Sequence, residues 1–548
     1  MSAKFRIKIW QYIKLDFIIY FIIANLLILA SNIPLILRFI HTPPGMIFNF
    51  SHIIWDHDYN LYRSAIIQGK YGAWLYRDAF TSDPTSPGIF YIFYIFVGKI
   101  AYLFNLSSSF AYHLVRIISL EIFVILVYIL ARSLLGKRGG LLASYLALSG
   151  SIAPLWLFKE KLNISFAIHW WTTFDPLDRL NILPHYVVSH NFLMLSIILL
   201  VFFLRNRKLR FAISAAMSIF IGGIIFPAVL VSIAATLPAS IILLIIRKYF
   251  TKHKIVIDKQ FFIGFSLIIL SAIFSLLIIK IQEQQGFPWN IWTSWNVTRW
   301  NYSEPTFNYN LFFIFGVLPI IALPSMIKNL LSGNIEMIYI TLWFLLPYIL
   351  LPFVNVFQIP KLRLVEDAHF IPVAILASQT LSHILSHLKS KIISFGMLVL
   401  YLLITIPVIV SLFIWRMSFI SSNFPPGVYY SNKNEYSGME YVIKEVPKNS
   451  VIITSLSHII PAYAPVISYW GHMTLTNNFA QKETNLKLFF SNQMNEKEAK
   501  QFLSSNNIDY IYVGPEERKL STKPITYKFL SLGYRDDEVT IFKLVRAK

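Results

Sequence analysis

Residues 88–104 read GIFYIFYIFVGKIAYLF, and whether this apolar run crosses a membrane sets the sidedness of everything after it. Crossing about 30 Å of hydrocarbon takes roughly 17–25 apolar residues. Eleven other runs qualify, near 17–40, 114–134, 140–158, 187–204, 211–227, 228–246, 261–281, 311–328, 337–354, 371–388 and 393–415. If 88–104 does not cross, one face holds Lys4, Arg6, Lys8 and Lys14 and the loops 131–140, 205–210, 247–259, 327–336 and 383–392. Those segments hold 19 basic residues against three acids, whereas the opposite loops 41–113, 159–186, 282–310 and 355–369 hold 10 basic and 11 acidic residues. If it did cross, 15 of those basic residues would move outside, against the positive-inside rule. The run is therefore expected to be an interfacial or re-entrant helix, which lets Lys99 snorkel.

Composition agrees. Of 548 residues, 56% are apolar, and the mean hydropathy of +0.59 is too high for a soluble enzyme of this size. The absence of cysteine excludes a disulfide scaffold, and 16% aromatic residues exclude disorder. The net charge of +21 is mostly a topology signal, so no nucleic-acid partner is invoked. The first apolar run is too long for a signal peptide and has no small-residue cleavage site, so it reads as a retained span with a cytoplasmic N-terminus. The expected architecture is a polytopic α-helical membrane protein of about 11 spans over 1–419, with a small extracytoplasmic α/β domain over 420–548. That tail opens at Pro425-Pro426-Gly427. It reads as a helix at 437–446, a strand at 450–454, turns to about 478, helices near 482–492 and 496–505, and strands at 508–513, 524–530 and 538–544.

Chemistry is expected in the outward loops. The first contains WDHDYNLYRSAIIQGKYGAW, with Asp56 and Asp58 just before a helical run. Two carboxylates at that spacing can share a divalent cation or divide the work, one as base and one as ligand; Asp58 can also simply cap the helix. The second loop offers Asp175, Asp178, His185 and His190, of which Asp175, Asp178 and His185 can complete a metal site begun at Asp56, taking Mg, Mn or Zn. The alternative for these residues is ordinary loop polarity. The third carries Trp289, Trp292, Trp295 and Trp300, which suit either an interfacial aromatic belt or, for Trp292 and Trp295, stacking on a sugar. In the fourth, Lys361 and Arg363 stand where a lipid-linked phosphate can be held, unless they serve only as interfacial anchors.

The stretch DHDYNLY resembles the acidic first-loop motif of the GT-C membrane glycosyltransferases, in particular the protein O-mannosyltransferase and aminoarabinose transferase branch. Asp58 and Tyr62 fit that branch's Asp-Glu-x-x-Tyr pattern. Tyr59 stands where the Glu is expected, so Asp56 is left to supply the second carboxylate. The 88–104 segment after TSDPTSPG resembles the family's juxtamembrane helix, and Arg116 with LARSLLGKRGGLLAS resembles its second span, basic turn and third span. The resemblance implies a glycosyltransferase of the cell membrane that uses a polyprenyl-phosphate sugar donor among membrane lipids. Asp58 would serve as base toward an acceptor of unknown kind, glycan, lipid or protein, with Tyr62 contributing to sugar or acceptor binding. A transporter or flippase of lipid-linked saccharide is the main rival. The scarcity of mid-membrane charge and the absence of an internal repeat weigh against it.

Overall fold

The computed structural model describes residues 15–53, 56–150, 173, 175–251, 258–303, 315–365, 368–387, 391–418, 420, 427–521 and 523–545. The N-terminal basic cluster, the second half of the 140–158 run, the start of the 311–328 run and Pro425-Pro426 lie outside the described residues. The chain forms two compact units.

The first unit comprises 1–34, 116–281 and 293–418 and is helical. Among the described residues, a helix lies on part of each of the eleven apolar runs. Among the described residues, six helices are long and apolar enough to cross a membrane, beginning with Asp16–Ile40 and ending with Ile335–Val356. Ser108–Ser149 is one 42-residue run bent at Gly136, whose φ of 73° breaks it where two expected spans meet. Large apolar side chains face outward along these helices, with Leu26 59% and Leu270 61% exposed, an arrangement stable in lipid rather than in water. Serine hydroxyls tie neighbouring helices together, Ser189 donating to the Gly222 carbonyl at 2.7 Å and Ser271 to that of Ala216 at 2.7 Å. In lipid, small polar residues of this kind let backbones approach and bond.

The second unit comprises 35–115, 282–292 and 419–548, so the C-terminal segment is part of a larger body. Strand β1 (Met46–Phe48) pairs antiparallel with β2 (Tyr430–Asn432). Helix α1 (Asp56–Lys70) packs against helix α2 (Ile92–Leu103). Twelve residues rise about 18 Å, too little to cross, and α2 leaves Phe96, Ile100 and Leu103 exposed. Lys99 lies 4.6 Å above the Trp74 ring. Strands β3 (Val451–Ile453), β4 (Ile467–Ser468), β5 (Ile508–Val513), β6 (Leu530–Arg535) and β7 (Thr540–Leu544) form one sheet in the order β4-β3-β5-β7-β6. Both β4 and β5 run parallel to β3, while β7 runs antiparallel to its two neighbours.

The period-2 alternation of strands decides which residues share a face. Ile452, Tyr510 and Tyr512 join Val442 and Ile541 in one core, and Ile453, Ile511, Phe489 and Leu503 form the other. The strand expected at 524–530 instead spans 530–535. Asp536 explains the shift, because its carboxylate accepts the N–H groups of Glu538 and Val539 at 2.8 and 2.6 Å and closes a hairpin that pairs Arg535 with Thr540. The belt reading fails at Trp289, which is buried against Tyr76, Phe90 and Gly88.

Candidate functional site

Asp56, His57 and Asp58 open helix α1, where the unpaired N–H groups of the first turn favour negative charge. In open α/β sheets, function gathers beyond the carboxyl ends of parallel strands. The parallel neighbours β3 and β4 are each followed by a turn that carries a histidine. The turn after β3 carries His458, whose Nε2 lies 2.8 Å from Asp56 Oδ2. The turn after β4 carries His472, whose Nε2 lies 3.2 Å from Asp58 Oδ1. Each aspartate thus has its own histidine.

Both turns are held. Buried Glu517 accepts from the Thr454 hydroxyl at 2.8 Å and from the Ser455 and Gly514 N–H groups, which fixes the loop after β3. Thr476 Oγ1 accepts the N–H groups of Gly471 and His472, both at 3.1 Å, and donates to the Phe80 carbonyl at 2.6 Å. Gly471 is required there, since a Cβ would come within 2.9 Å of the Phe80 ring and 3.0 Å of the Ser457 carbonyl. Thr474 N–H donates to His472 Nδ1 at 3.2 Å, so the ring's proton sits on Nε2 and is donated to Asp58.

The His57 and His458 rings stack in parallel, 4.4 Å apart at an interplanar angle of 3°. Burial, then the charge of His458, pushes His57 down to about 3, outweighing Asp56 and a hydrogen bond to the Gly471 carbonyl. It is therefore a neutral imidazole. Burial works to raise Asp56, but the hydrogen bond and charge of His458, with the backbone N–H of His57, hold it below the usual carboxylate range. Asp56, His57 and His458 each offer a ligand atom, and these atoms lie within 4.8 Å of one another. The Trp292 and His472 rings lie with their centroids 5.8 Å apart, at 75° to one another. Tyr91, which caps α2 with a φ of 63°, is a further neighbour that interacts electrostatically with Asp58. Tyr62 is buried and stacks on Tyr94 at 4.7 Å.

The remaining expected residues lie in the first unit. Asp175 caps the short helix Pro176–Arg179 and, with Asp178, shares the Arg416 guanidinium at 3.1 and 2.5 Å. Both carboxylates are thus engaged by a cation that a metal would have to displace. Among the described residues the one metal-capable group is that of Asp56, without Asp175, Asp178 or His185. His185 packs on Tyr186 and Phe226. Arg363 bonds the Tyr186 hydroxyl and lies over both of those rings. Lys361 is tied to Asn301, its N–H donating at 2.8 Å. Trp295 lies under Arg299 at 5.0 Å. The sequence did not single out His57, His458, His472 or Arg416. The first stands inside the DHD motif itself, but the tail histidines meet it across more than 400 residues, and nothing local signals that.

No protein-family model matches this chain, and no curated protein matches it in sequence. Its fold is similar to that of the Archaeoglobus fulgidus oligosaccharyltransferase, solved with a tethered acceptor peptide containing an NVT sequon. The TM-score is 0.50 at 14% identity, over 89% of this chain and 68% of that one. Matches also include ArnT from Cupriavidus metallidurans bound to undecaprenyl phosphate, with a TM-score of 0.47 at 11% identity over 94% of this chain and 98% of that one. The arabinofuranosyltransferase AftD from Mycobacteria matches with a TM-score of 0.46 at 11% identity, over 96% of this chain but 42% of that one. These three are GT-C superfamily membrane glycosyltransferases. The likeness to the first of these is one of fold alone.

Proposed function

We propose that this chain is an integral membrane glycosyltransferase that moves a sugar from a polyprenyl-phosphate-linked donor to an acceptor on the extracytoplasmic face, with inversion. The observation that carries the proposal is the pair Asp56 and Asp58 in the first turn of α1, each held by a histidine of its own. The GT-C-type fold supports it.

Asp58 is the base. His472 occupies Oδ1, and the carboxylate takes the proton of an acceptor hydroxyl or amine. The acceptor atom bonds to the anomeric carbon as the bond from that carbon to the phosphate oxygen breaks. The electron pair leaves with the polyprenyl phosphate. Lys361 and Arg363 are assigned to the donor phosphate, where fixed cations favour the charge of the leaving group. A divalent cation held at Asp56 would add further charge neutralisation. Trp292, Trp295 and Tyr62 are the aromatic candidates for sugar or acceptor contact.

The test is release of free polyprenyl phosphate by the purified chain from a panel of labelled polyprenyl-phosphate monosaccharides, with membrane extract as the acceptor source. Turnover of at least one donor, with label moved to a second molecule, is expected. Movement of intact donor across vesicle membranes, with no cleavage, would instead establish the transporter reading.

A further inference from the structure

Glu121 is a carboxyl on a membrane-spanning helix, and it is not turned into the protein. It lies about 20 Å along Ser108–Ser149 from the start of that helix, half-buried between Ile118 and Ile122, whose side chains are exposed. Its partner is Asn25, whose Nδ2 donates to Glu121 Oε2 at 3.3 Å and to the Phe21 carbonyl at 2.9 Å. Asn25 stands about 14 Å along Asp16–Ile40, half-buried beside the exposed Ile22 and Leu26. Arg116, the cation on the same helix as Glu121, is buried and donates to the Asn32 and Asn181 carboxamide oxygens. Ionisable groups inside a membrane are costly and almost always face the interior of the bundle. This carboxyl and carboxamide stand instead on a lipid-facing ridge. Their one bond leaves Glu121 Oε1 and Asn25 Oδ1 with no hydrogen-bond partner among the described residues. Lipid tails cannot supply one; another protein surface can.

We infer that this face of the helices Asp16–Ile40 and Ser108–Ser149 is an interface with a second copy of the chain, closed by Asn25 and Glu121 across a twofold axis. Two features select a second copy. The face carries both the donor and the acceptor of one bond, so it is complementary to itself, as an isologous interface requires. Copies inserted in the same direction are related by an axis along the membrane normal, and rotation about that axis preserves depth. Asn25 and Glu121 are bonded to each other and so lie at one depth. Each carboxamide therefore meets the carboxyl of the second copy without any slide of the helices. Around the pair, Ile18, Ile22 and Leu26 recur every four residues and are exposed, as are Ile118 and Ile122. In lipid such side chains have no hydrophobic reason to associate, but they pack by van der Waals contact once polar groups hold the helices together. The interface does not depend on the proposed transfer, and it is measured without any turnover.

The chain contains no cysteine, so single introduced cysteines report contact between copies directly. In membranes carrying the full-length chain, Ile118→Cys and Leu26→Cys should each give, with a short bis-maleimide, a product of twice the mass that contains this chain alone. Leu270→Cys, exposed on the helix Lys259–Glu283, should not. The same Leu270→Cys chain, labelled with donor or acceptor dye and diluted with neutral lipid in vesicles, gives the association constant from energy transfer. Adding Glu121→Leu or Asn25→Leu should lower that constant about tenfold. The double variant should fall no further, because either change removes the same bonds. Glu121→Gln, which keeps an acceptor, should retain most of the association. Leucine suits a lipid-facing position, so these variants keep the fold, and an unchanged Tm would verify it. Cross-linking as strong at Leu270→Cys as at Ile118→Cys, or no doubled product at either face position, would overturn the interface. So would a product containing a protein of another mass, or association unchanged in both leucine variants.

Discussion

At the scale of residues, the division of labour between Asp56 and Asp58 follows from which nitrogen each histidine presents. His472 cannot be the base, because its Nδ1 already accepts from the Thr474 N–H and its Nε2 bears a hydrogen toward Asp58. It positions the carboxylate. A hydrogen bond to a charged group is worth about 1.5–3 kcal/mol, so His472→Ala should slow transfer about tenfold or more. His472→Gln, whose amide can donate from nearly the same place, should recover most of that rate. Equal rates for both variants would leave His472 with a merely structural role. Asp78 gives a separate reading of the same unit. Burial pushes its carboxyl up to about 8 against the opposing Phe80 N–H and Lys482, so the folded chain keeps a proton that the unfolded chain loses near pH 4. Its contribution to stability is complete below about pH 4 and is lost as pH rises through 8. The gain in Tm from Asp78→Asn should accordingly widen between pH 4 and pH 8 and then level off; a gain independent of pH would show that Asp78 does not hold the proton. The carboxylates were legible in the sequence because the Asp-x-Asp spacing is local. Their histidine partners were not, because the sheet alone brings residues 458 and 472 to residues 56 and 58.

At the scale of elements, α1 and α2 meet at two glycines. A Cβ on Gly69 would stand 2.2 Å from the Ile95 carbonyl oxygen, and one on Gly98 2.2 Å from that of Ile66. Backbone cannot yield as a side-chain tip can, so Gly98→Ala should force the helices apart at a cost of about 1–3 kcal/mol or more. Thermal unfolding with a Tm within a degree of the wild type would contradict that packing. Because α1 carries the DHD motif at its other end, transfer should fall as well. The helical elements were readable because apolar runs of this length have one stable form in lipid, and the short helix within 88–104 because charge counting denied it a crossing. The β6–β7 hairpin was misplaced by several residues, since its register is set by Asp536 side-chain bonds that β propensity does not report. Strand β4, two residues long, offers no periodicity to read, yet its following turn delivers His472.

At the scale of the whole molecule, the sequence invites a cut near residue 420, whereas the second unit joins 419–548 with 35–115 and 282–292. The β1–β2 pairing and both site histidines depend on that union. Deleting 420–548 should therefore abolish transfer rather than strip an accessory partner from a working enzyme. A truncated chain that still turns over donor would make the tail an appendage. The composition shift near 420 coincides with the passage from the first unit to the second, but the second unit also takes in 35–115 and 282–292, which composition does not report. The most direct measurement is label transfer from polyprenyl-phosphate sugars in membranes carrying wild type or Asp58→Asn at matched expression. Loss of a general base costs typically 10²–10⁴-fold, so transfer by the wild type and a fall of at least about 100-fold in the variant is the expected result. Equal transfer by both would place the base elsewhere and contradict the assignment of the DHD turn as the reaction centre.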